Sequence, residues 1–320
     1  MDYVWLVAGF ILLVKGADYF VEGSAGIAKK YNVPGFIIGM TIVAMGTSAP
    51  ECAVSVAAAL KGNNGIAIGN VIGSNIFNLL VVVGICAAIK PIQVKDKILK
   101  GDFPFSIFVG ILLMFLCYDK LIFGSNQKNT IGRIDGALML IIFVAFLIYM
   151  VRSAMKAKSN GEVIEEEEIK ELPLVKCIVY IILGAAAIVL GGDLVVDSAK
   201  GIAKDFGMTD TLIGLTIVAF GTSLPELVTS VVAARKGEVD MALGNVIGSN
   251  IFNILLVLGI SSAIHPIVGV SMHNIYDLMI LAVVSIMTWI FAKTGKRINR
   301  PEGAVMLLVY TGYIVYACMR

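Results

Sequence analysis

Two glutamates, Glu51 and Glu226, stand in the middle of long apolar segments. An ionised side chain in such a place costs several kcal/mol and is by default a functional-site hypothesis. Each glutamate directly follows a proline, which cannot donate to the carbonyl four residues earlier and therefore kinks a helix. We expect the carbonyls of 44–47 and 219–222 to lose their helical partners as a result. A carboxylate beside unpaired carbonyls is a set of oxygen ligands for a hard cation.

Hydroxyl and amide side chains extend this oxygen set. The segment before each glutamate supplies Thr and Ser, although a hydroxyl in a membrane helix also has the alternative of bonding to its own backbone. A second motif places a serine and an asparagine four residues apart on one helical face. Asn75 and Asn250 of this motif are expected to point elsewhere, toward a cap or a neighbouring helix. The candidate side chains are Thr47, Ser48, Ser74, Asn78, Thr222, Ser223, Ser249 and Asn253.

The chemistry of this set favours calcium over softer metals. Ca²⁺ takes 6 to 8 oxygen ligands in flexible geometry, whereas Mg²⁺ demands a tight octahedron. No His or Cys lies within the motifs 39–51 and 69–78 or their copies, which disfavours zinc and copper. The alternative role for the glutamates, in which they are neutral or bonded to a neighbouring helix, is disfavoured because both recur at equivalent positions.

That recurrence is an internal repeat. A single shift of 175 residues carries Gly39-Met-Thr-Ile-Val-Ala-Met-Gly-Thr-Ser-Ala-Pro-Glu51 onto Gly214-Leu-Thr-Ile-Val-Ala-Phe-Gly-Thr-Ser-Leu-Pro-Glu226. The same shift carries Gly69-Asn-Val-Ile-Gly-Ser-Asn-Ile-Phe-Asn78 unchanged onto 244–253. Identity at this level over two motifs indicates duplication.

The elements that position these motifs are membrane helices. The 320 residues are 58% hydrophobic and 15% charged, with a mean hydropathy of +0.91. About 20 apolar residues cross a bilayer as a helix, and the sequence predicts an all-α membrane protein with ten such spans and little soluble domain. The predicted spans are 3–22, 34–60, 65–89, 103–123, 131–152, 174–192, 210–235, 240–264, 275–292 and 301–319.

Ten spans in two copies give five helices per repeat, and an odd number inverts the second copy in the membrane. Inverted repeats around a midplane site are typical of secondary transporters that work by alternating access. We predict a first repeat over 1–152 with its motif at 39–78, and a second over 174–320 with its motif at 214–253. The acidic segment 153–173 is a predicted linker. Basic residues concentrate in the loops on its side, which predicts that the linker is cytoplasmic and that both termini face outward from the cell or inner membrane.

Together, Gly-Thr-Ser-x-Pro-Glu and Gly-Asn-x-Ile-Gly-Ser-Asn, each present twice, resemble the repeats of the sodium/calcium exchanger family within the cation/calcium antiporter superfamily. The resemblance covers essentially the whole chain and is closest to the prokaryotic members. It implies ten helices, with helices 2, 3, 7 and 8 around the ions, and exchange of about three Na⁺ per Ca²⁺. It also implies Glu51, Glu226, Thr47 and Thr222 as calcium ligands, Ala44, Ser48, Ser74, Ala219, Ser223 and Ser249 as additional sodium ligands, and Asn78 and Asn253 beside the centre.

The sequence favours exchange with sodium over three other functions. Proton-coupled calcium exchangers typically carry a glutamate in the Gly-Asn motif, whereas this chain has Val71-Ile72 and Val246-Ile247. A passive cation channel usually forms its ring by oligomerisation, and an intramembrane enzyme would need a catalytic motif that the sequence lacks. Certain archaeal and potassium-dependent relatives carry Asp where Asn253 stands; with a neutral amide at this place, we expect no need for potassium.

The sequence indicates no other partner or cofactor. A net charge of +2 does not suggest a nucleic acid partner, and no obligate protein partner is evident. The five cysteines are scattered without a C-x-x-C pair, so neither a disulfide framework nor a zinc site is predicted. Na⁺ and Ca²⁺ are expected as transported substrates, the lipid bilayer as the surroundings, and no cofactor.

Overall fold

A computed structural model describes residues 2–122, 129–159, 172–207 and 219–319. Within these ranges eight helices are long and apolar enough to cross a membrane, and a ninth span is a pair of helices bent against each other. The protein is therefore an all-α, multi-pass membrane protein, as the sequence predicts. The unbroken spans are Asp2–Tyr31, Asn64–Ile89, Ile98–Tyr118, Arg133–Lys156, Leu174–Asp205, Val239–Ile264, Met272–Lys293 and Arg300–Met319.

The α-helices are numbered in chain order over the described residues. They are α1 (Asp2–Tyr31), α2 (Gly35–Ile38), α3 (Ala44–Thr47), α4 (Ala49–Leu60), α5 (Asn64–Phe77), α6 (Val83–Ile89), α7 (Phe103–Ile122), α8 (Arg133–Ser159), α9 (Leu174–Asp205), α10 (Ala219–Thr222), α11 (Leu224–Arg235), α12 (Val239–Phe252), α13 (Gly259–Ile264), α14 (Met272–Lys293) and α15 (Arg300–Met319).

Two short antiparallel strand pairs join loops at the helix ends, a feature that hydropathy did not predict. Strand β1 (Ile92–Gln93) pairs with β4 (Arg297–Ile298), and β2 (Thr130–Ile131) pairs with β3 (Ile267–Val268). Beside the first pair, the Lys296 Nζ lies 2.8 Å from Asp96. This hydrogen bond from Lys296 holds the pKa of the Asp96 carboxyl below its usual value.

Helices α1 and α9 are longer than the predicted spans 3–22 and 174–192. The 30 residues of α1 measure about 45 Å, more than the ~30 Å hydrocarbon core. A hydropathy window detects only the apolar part of a helix, whereas the helix itself continues to a stop signal. For α1 this signal is Asn32, which has a φ of 55° and precedes Pro34 by two residues; for α9 it is Gly207, with a φ of 78°.

The long helices α1 and α9 pack tightly through glycines. A Cβ added at Gly16 would lie 2.9 Å from the Gly184 carbonyl oxygen, and one added at Gly184 would lie 2.8 Å from the Gly16 carbonyl oxygen. Small residues at such crossings let two backbones approach closely, which is how helices associate in lipid.

Several spans contain a π-helical turn that the sequence did not reveal. These turns are Gly39–Val43, Asn78–Val82, Ile98–Asp102 and Asn253–Leu258. Two of them begin at Asn78 and Asn253, which are equivalent residues of the two repeats. Inserted π-turns are rare and occur frequently at functional sites.

The contacts divide the chain into two compact units. The first contains 1–50 and 150–246, and the second contains 51–149 and 247–320. Each unit draws on both halves of the sequence, so neither coincides with one repeat. The repeat boundaries 1–152 and 174–320 stay a prediction. Most of the predicted linker 153–173 and the motif residues 214–218 lie outside the described ranges.

Candidate ion-binding site

The first candidate motif, 39–51, is bent where the proline predicts it. The segments Gly35–Thr47 and Ala49–Leu60 meet at an angle of 48°, with Ser48 between them. Pro50 lies in the first turn of α4, where a missing N–H costs no helical bond. The second copy is built alike, because Ser223 directly precedes α11 and Pro225 lies in its first turn. Proline thus starts a new helix directly before each glutamate.

One part of the expected carbonyl chemistry is wrong. The carbonyl of Ala44 does not lack a helical partner, because it accepts the Ser48 N–H at 3.0 Å. The missing N–H of Pro50 affects the carbonyl four residues earlier, that of Gly46, and leaves the Ser48 N–H in place. The Thr47 hydroxyl also lies 3.4 Å from this oxygen of Ala44. The expectation is also wrong for Phe220, whose carbonyl accepts the Ser223 N–H at 3.3 Å; for Ala219, the first residue of α10, it stays a prediction.

In the first unit, the motif of one repeat reaches the glutamate of the other. The Ser48 hydroxyl donates to Glu226 Oε1 at 2.9 Å, and the Glu226 side chain is 0% exposed. Thr47 Oγ1 lies 3.1 Å from Asn245 Oδ1 and 3.2 Å from the Val43 carbonyl oxygen. A hydroxyl has one proton, so Thr47 has both an inter-helix and a backbone acceptor within reach. The serine of the first motif therefore contacts the buried carboxylate of the second, and the threonine contacts the amide of Asn245.

The remaining candidates of the first unit follow each other along the chain. Thr222 ends α10, and Ser223 comes three residues before Glu226; both side chains are buried. The structure thus places the Thr-Ser pair of the second repeat directly ahead of its own glutamate.

In the second unit, Glu51 is also 0% exposed. Its carbonyl oxygen lies 3.4 Å from Asn70 Nδ2, which also donates to Ser55 Oγ at 2.9 Å. The same pair recurs in the first unit, where Asn245 Nδ2 donates to Ser230 Oγ at 2.9 Å. In each repeat, the asparagine of the Gly-Asn motif therefore donates to a serine that lies four residues after the glutamate. This hydrogen bond connects the two motifs of the repeat.

Four asparagines of the second unit form a network between α5 and α12 and the π-turns that follow them. Asn75 Nδ2 donates to the Asn250 carbonyl at 3.2 Å, and Asn250 Nδ2 donates to the Asn75 carbonyl at 3.3 Å. Asn78 Nδ2 donates to Asn250 Oδ1 at 3.2 Å, and Asn253 Nδ2 donates to Asn75 Oδ1 at 3.1 Å. Ser74 and Ser249 are buried one residue before Asn75 and Asn250. The expectation that Asn75 and Asn250 bond a neighbouring helix is confirmed.

Some residues of this arrangement were missing from the predicted set. Ser55, Asn70, Ser230 and Asn245 were not singled out, and the partners of Asn75 were not predicted. Their signal was present in the sequence, because each recurs at the 175-residue shift. Repetition alone does not tell a cation ligand from a residue that holds two helices together.

Comparison with known proteins identifies the family. The family model described as "Sodium/calcium exchanger protein" matches residues 1–152 and 176–319. The chain belongs to this family. It is 41% identical to "Putative antiporter CaxA" of Alkalimonas amylolytica over 97% of this chain and 96% of that protein. It is 36% identical to "Sodium/calcium exchanger MaX1" of Methanosarcina acetivorans over 98% of each chain.

A solved structure agrees with this assignment. The sodium-calcium exchanger NCX_Mj, soaked with 10 mM Na⁺ and zero Ca²⁺, superposes with a TM-score of 0.84 at 36% identity. The match covers 100% of this chain and 99% of that chain. The family is one of exchangers, so the protein is a cation/calcium antiporter of the membrane.

Proposed function

We propose that this antiporter exchanges Na⁺ for Ca²⁺ by alternating access, moving about three Na⁺ per Ca²⁺ without potassium. The observation that carries the proposal is the hydrogen bond between Ser48 and the buried Glu226, because it joins the motif of one repeat to the carboxylate of the other. A transporter with inverted repeats needs such a shared site between its two copies.

The proposed calcium ligands are Glu51, Glu226, Thr47 and Thr222. Two carboxylates neutralise one Ca²⁺, and hydroxyl oxygens complete a hard-cation set. The proposed sodium sites add oxygens from Ala44, Ser48, Ser74, Ala219, Ser223 and Ser249, with Asn78 and Asn253 beside the centre.

Sodium is favoured over protons as the coupling ion by the residues after each Gly-Asn pair. Val71 and Ile72, like Val246 and Ile247, are buried and apolar, so no additional carboxylate stands there to carry a proton. The relative MaX1 is named a sodium/calcium exchanger, which is consistent with this choice.

The stoichiometry and the independence from potassium follow from charge. Two carboxylates and three Na⁺ leave one excess positive charge, so each cycle should move charge across the membrane. Asn78 and Asn253 are neutral amides, so the site lacks the third carboxylate that would help to hold a large monovalent ion.

We place the protein in the cell or inner membrane, with its linker cytoplasmic and both termini outside.

The test is calcium uptake into proteoliposomes loaded with Na⁺. Uptake should require an outward Na⁺ gradient and should stop when Na⁺ is equal on both sides. Replacing this gradient by a proton gradient tests the proton-coupled alternative, and calcium entry without either gradient indicates a channel. Uptake driven by protons and not by Na⁺ would overturn the proposal.

A further inference from the structure

The asparagine network of the second unit fixes the orientation of two amides. Asn75 Nδ2 faces the backbone carbonyl of Asn250, at 3.2 Å. A carbonyl oxygen only accepts, so rotating the Asn75 amide by half a turn would place two acceptors against each other. The Oδ1 of Asn75 must therefore face Asn253. Because this oxygen accepts, Asn253 must donate to it through Nδ2, 3.1 Å away.

The same argument holds for the other pair. Asn250 Nδ2 faces the Asn75 carbonyl at 3.3 Å, so Asn250 Oδ1 is directed at Asn78 Nδ2, 3.2 Å away. The Oδ1 of an amide lies on the opposite side from its Nδ2. Asn78 Oδ1 and Asn253 Oδ1 are consequently turned away from the network, and both are buried without a hydrogen-bond partner among the described residues.

A buried amide oxygen without a partner is costly unless something else satisfies it. The amide has one attractive end for a cation, its oxygen, and one repulsive end, its NH₂ group. We propose that Asn75 and Asn250 are positioning residues, which lock Asn253 and Asn78 with the oxygen end directed at the transported cation. This inference rests on the proposed function, because it deepens the role of Asn78 and Asn253 in that site.

The network predicts that Asn250 orients Asn78 and that Asn75 orients Asn253. Substituting Asn250 removes the acceptor for Asn78. It leaves the Asn250 backbone carbonyl in place, so Asn75 keeps its own orientation and continues to hold Asn253. The coupling should therefore exist for Asn250 with Asn78 and be absent for Asn250 with Asn253.

The experiment is a pair of double-mutant cycles on the purified full-length protein. Affinities for Ca²⁺ alone and for Na⁺ alone are measured by thermal stabilisation in detergent. The variants are Asn250→Val, which has similar volume and no amide, combined with Asn78→Ala in one cycle and with Asn253→Ala in the other. Thr288→Val is the control, because its buried hydroxyl donates to the Val284 carbonyl of its own helix, at 2.9 Å.

We expect Asn250→Val to weaken cation binding about tenfold, as the loss of one hydrogen bond would. In the Asn78→Ala background, Asn250→Val should cause no further loss of cation affinity. In the Asn253→Ala background, it should again weaken cation binding about tenfold. A purely structural role lowers the melting temperature and gives equal, additive effects in both cycles, which would overturn the proposal. If Asn250→Val does not fold, Asn250→Ala is used in the same cycles.

The outcome is separable from that of the proposed function. Pair-specific coupling in cation binding, together with no Na⁺-driven calcium uptake by the wild type, would refute exchange and retain the positioning role. Na⁺-driven uptake together with additive cycles would refute the positioning role and retain exchange.

Discussion

Replacing Ser48 by alanine should make transport more sensitive to acid. The substitution removes the hydroxyl that donates to Glu226 Oε1 at 2.9 Å, within a buried environment. The main-chain bond from the Ser48 N–H to the Ala44 carbonyl does not involve the side chain and is retained. Ser48→Ala therefore removes one charge-assisted hydrogen bond with little change to the helices.

The magnitude follows from that bond. A hydrogen bond to a charged group contributes about 1.5 to 3 kcal/mol. The ionised carboxylate loses this stabilisation, while a protonated carboxyl depends on it less, so protons compete better with cations. One pH unit corresponds to about 1.36 kcal/mol. The pH at which calcium uptake is half-inhibited should therefore rise by about one to two units.

The assay is Na⁺-driven calcium uptake by proteoliposomes with the same pH on both sides. The pH is varied from about 5 to about 9, a range that lies above the reference pKa of glutamate. Ser262→Ala is the matched control, because its buried hydroxyl donates at 2.6 Å to the Leu258 carbonyl and its counterpart in the first repeat is Ala87. An unchanged or lowered midpoint for Ser48→Ala would refute the reasoning, as would an equal shift in the control.

Four further predictions follow from the same site and its packing. Glu51→Gln keeps the size but removes one of two carboxylates that offset Ca²⁺, so uptake should fall to background with normal membrane insertion; near wild-type uptake would contradict the site. An imposed membrane potential should change the flux, and an insensitive flux would indicate two Na⁺ per Ca²⁺. Replacing potassium by choline on both sides should leave the flux unchanged, and a flux that collapses and returns with potassium would contradict the role of Asn253. Gly244→Ala should lower the melting temperature, because its Cβ would meet the Phe36 carbonyl oxygen and overpacking costs about 1 to 3 kcal/mol; Gly312→Ala, on an exposed helix face, should not.

The sequence alone determined the membrane class and the family. Burial in lipid requires long apolar helices, so composition and hydropathy predict the spans without knowledge of packing. Glu51 and Glu226 were found because a carboxylate is conspicuous among apolar residues and because the shift of 175 residues repeats its surroundings. The bend before Glu51 was predicted as well, since proline acts on its own helix.

Only the tertiary structure decided what each polar side chain contacts. The sequence did not predict that α1 continues to Tyr31, because helix length depends on stop signals and on packing against α9. It also gave no reason to separate the roles of Asn75 and Asn78, which have the same side chain three residues apart. Their difference arises because one faces the backbone of a segment 175 residues away and the other faces the amide of Asn250. Hydrogen bonds between distant segments depend on the positions of both partners, and neither local pattern contains those positions.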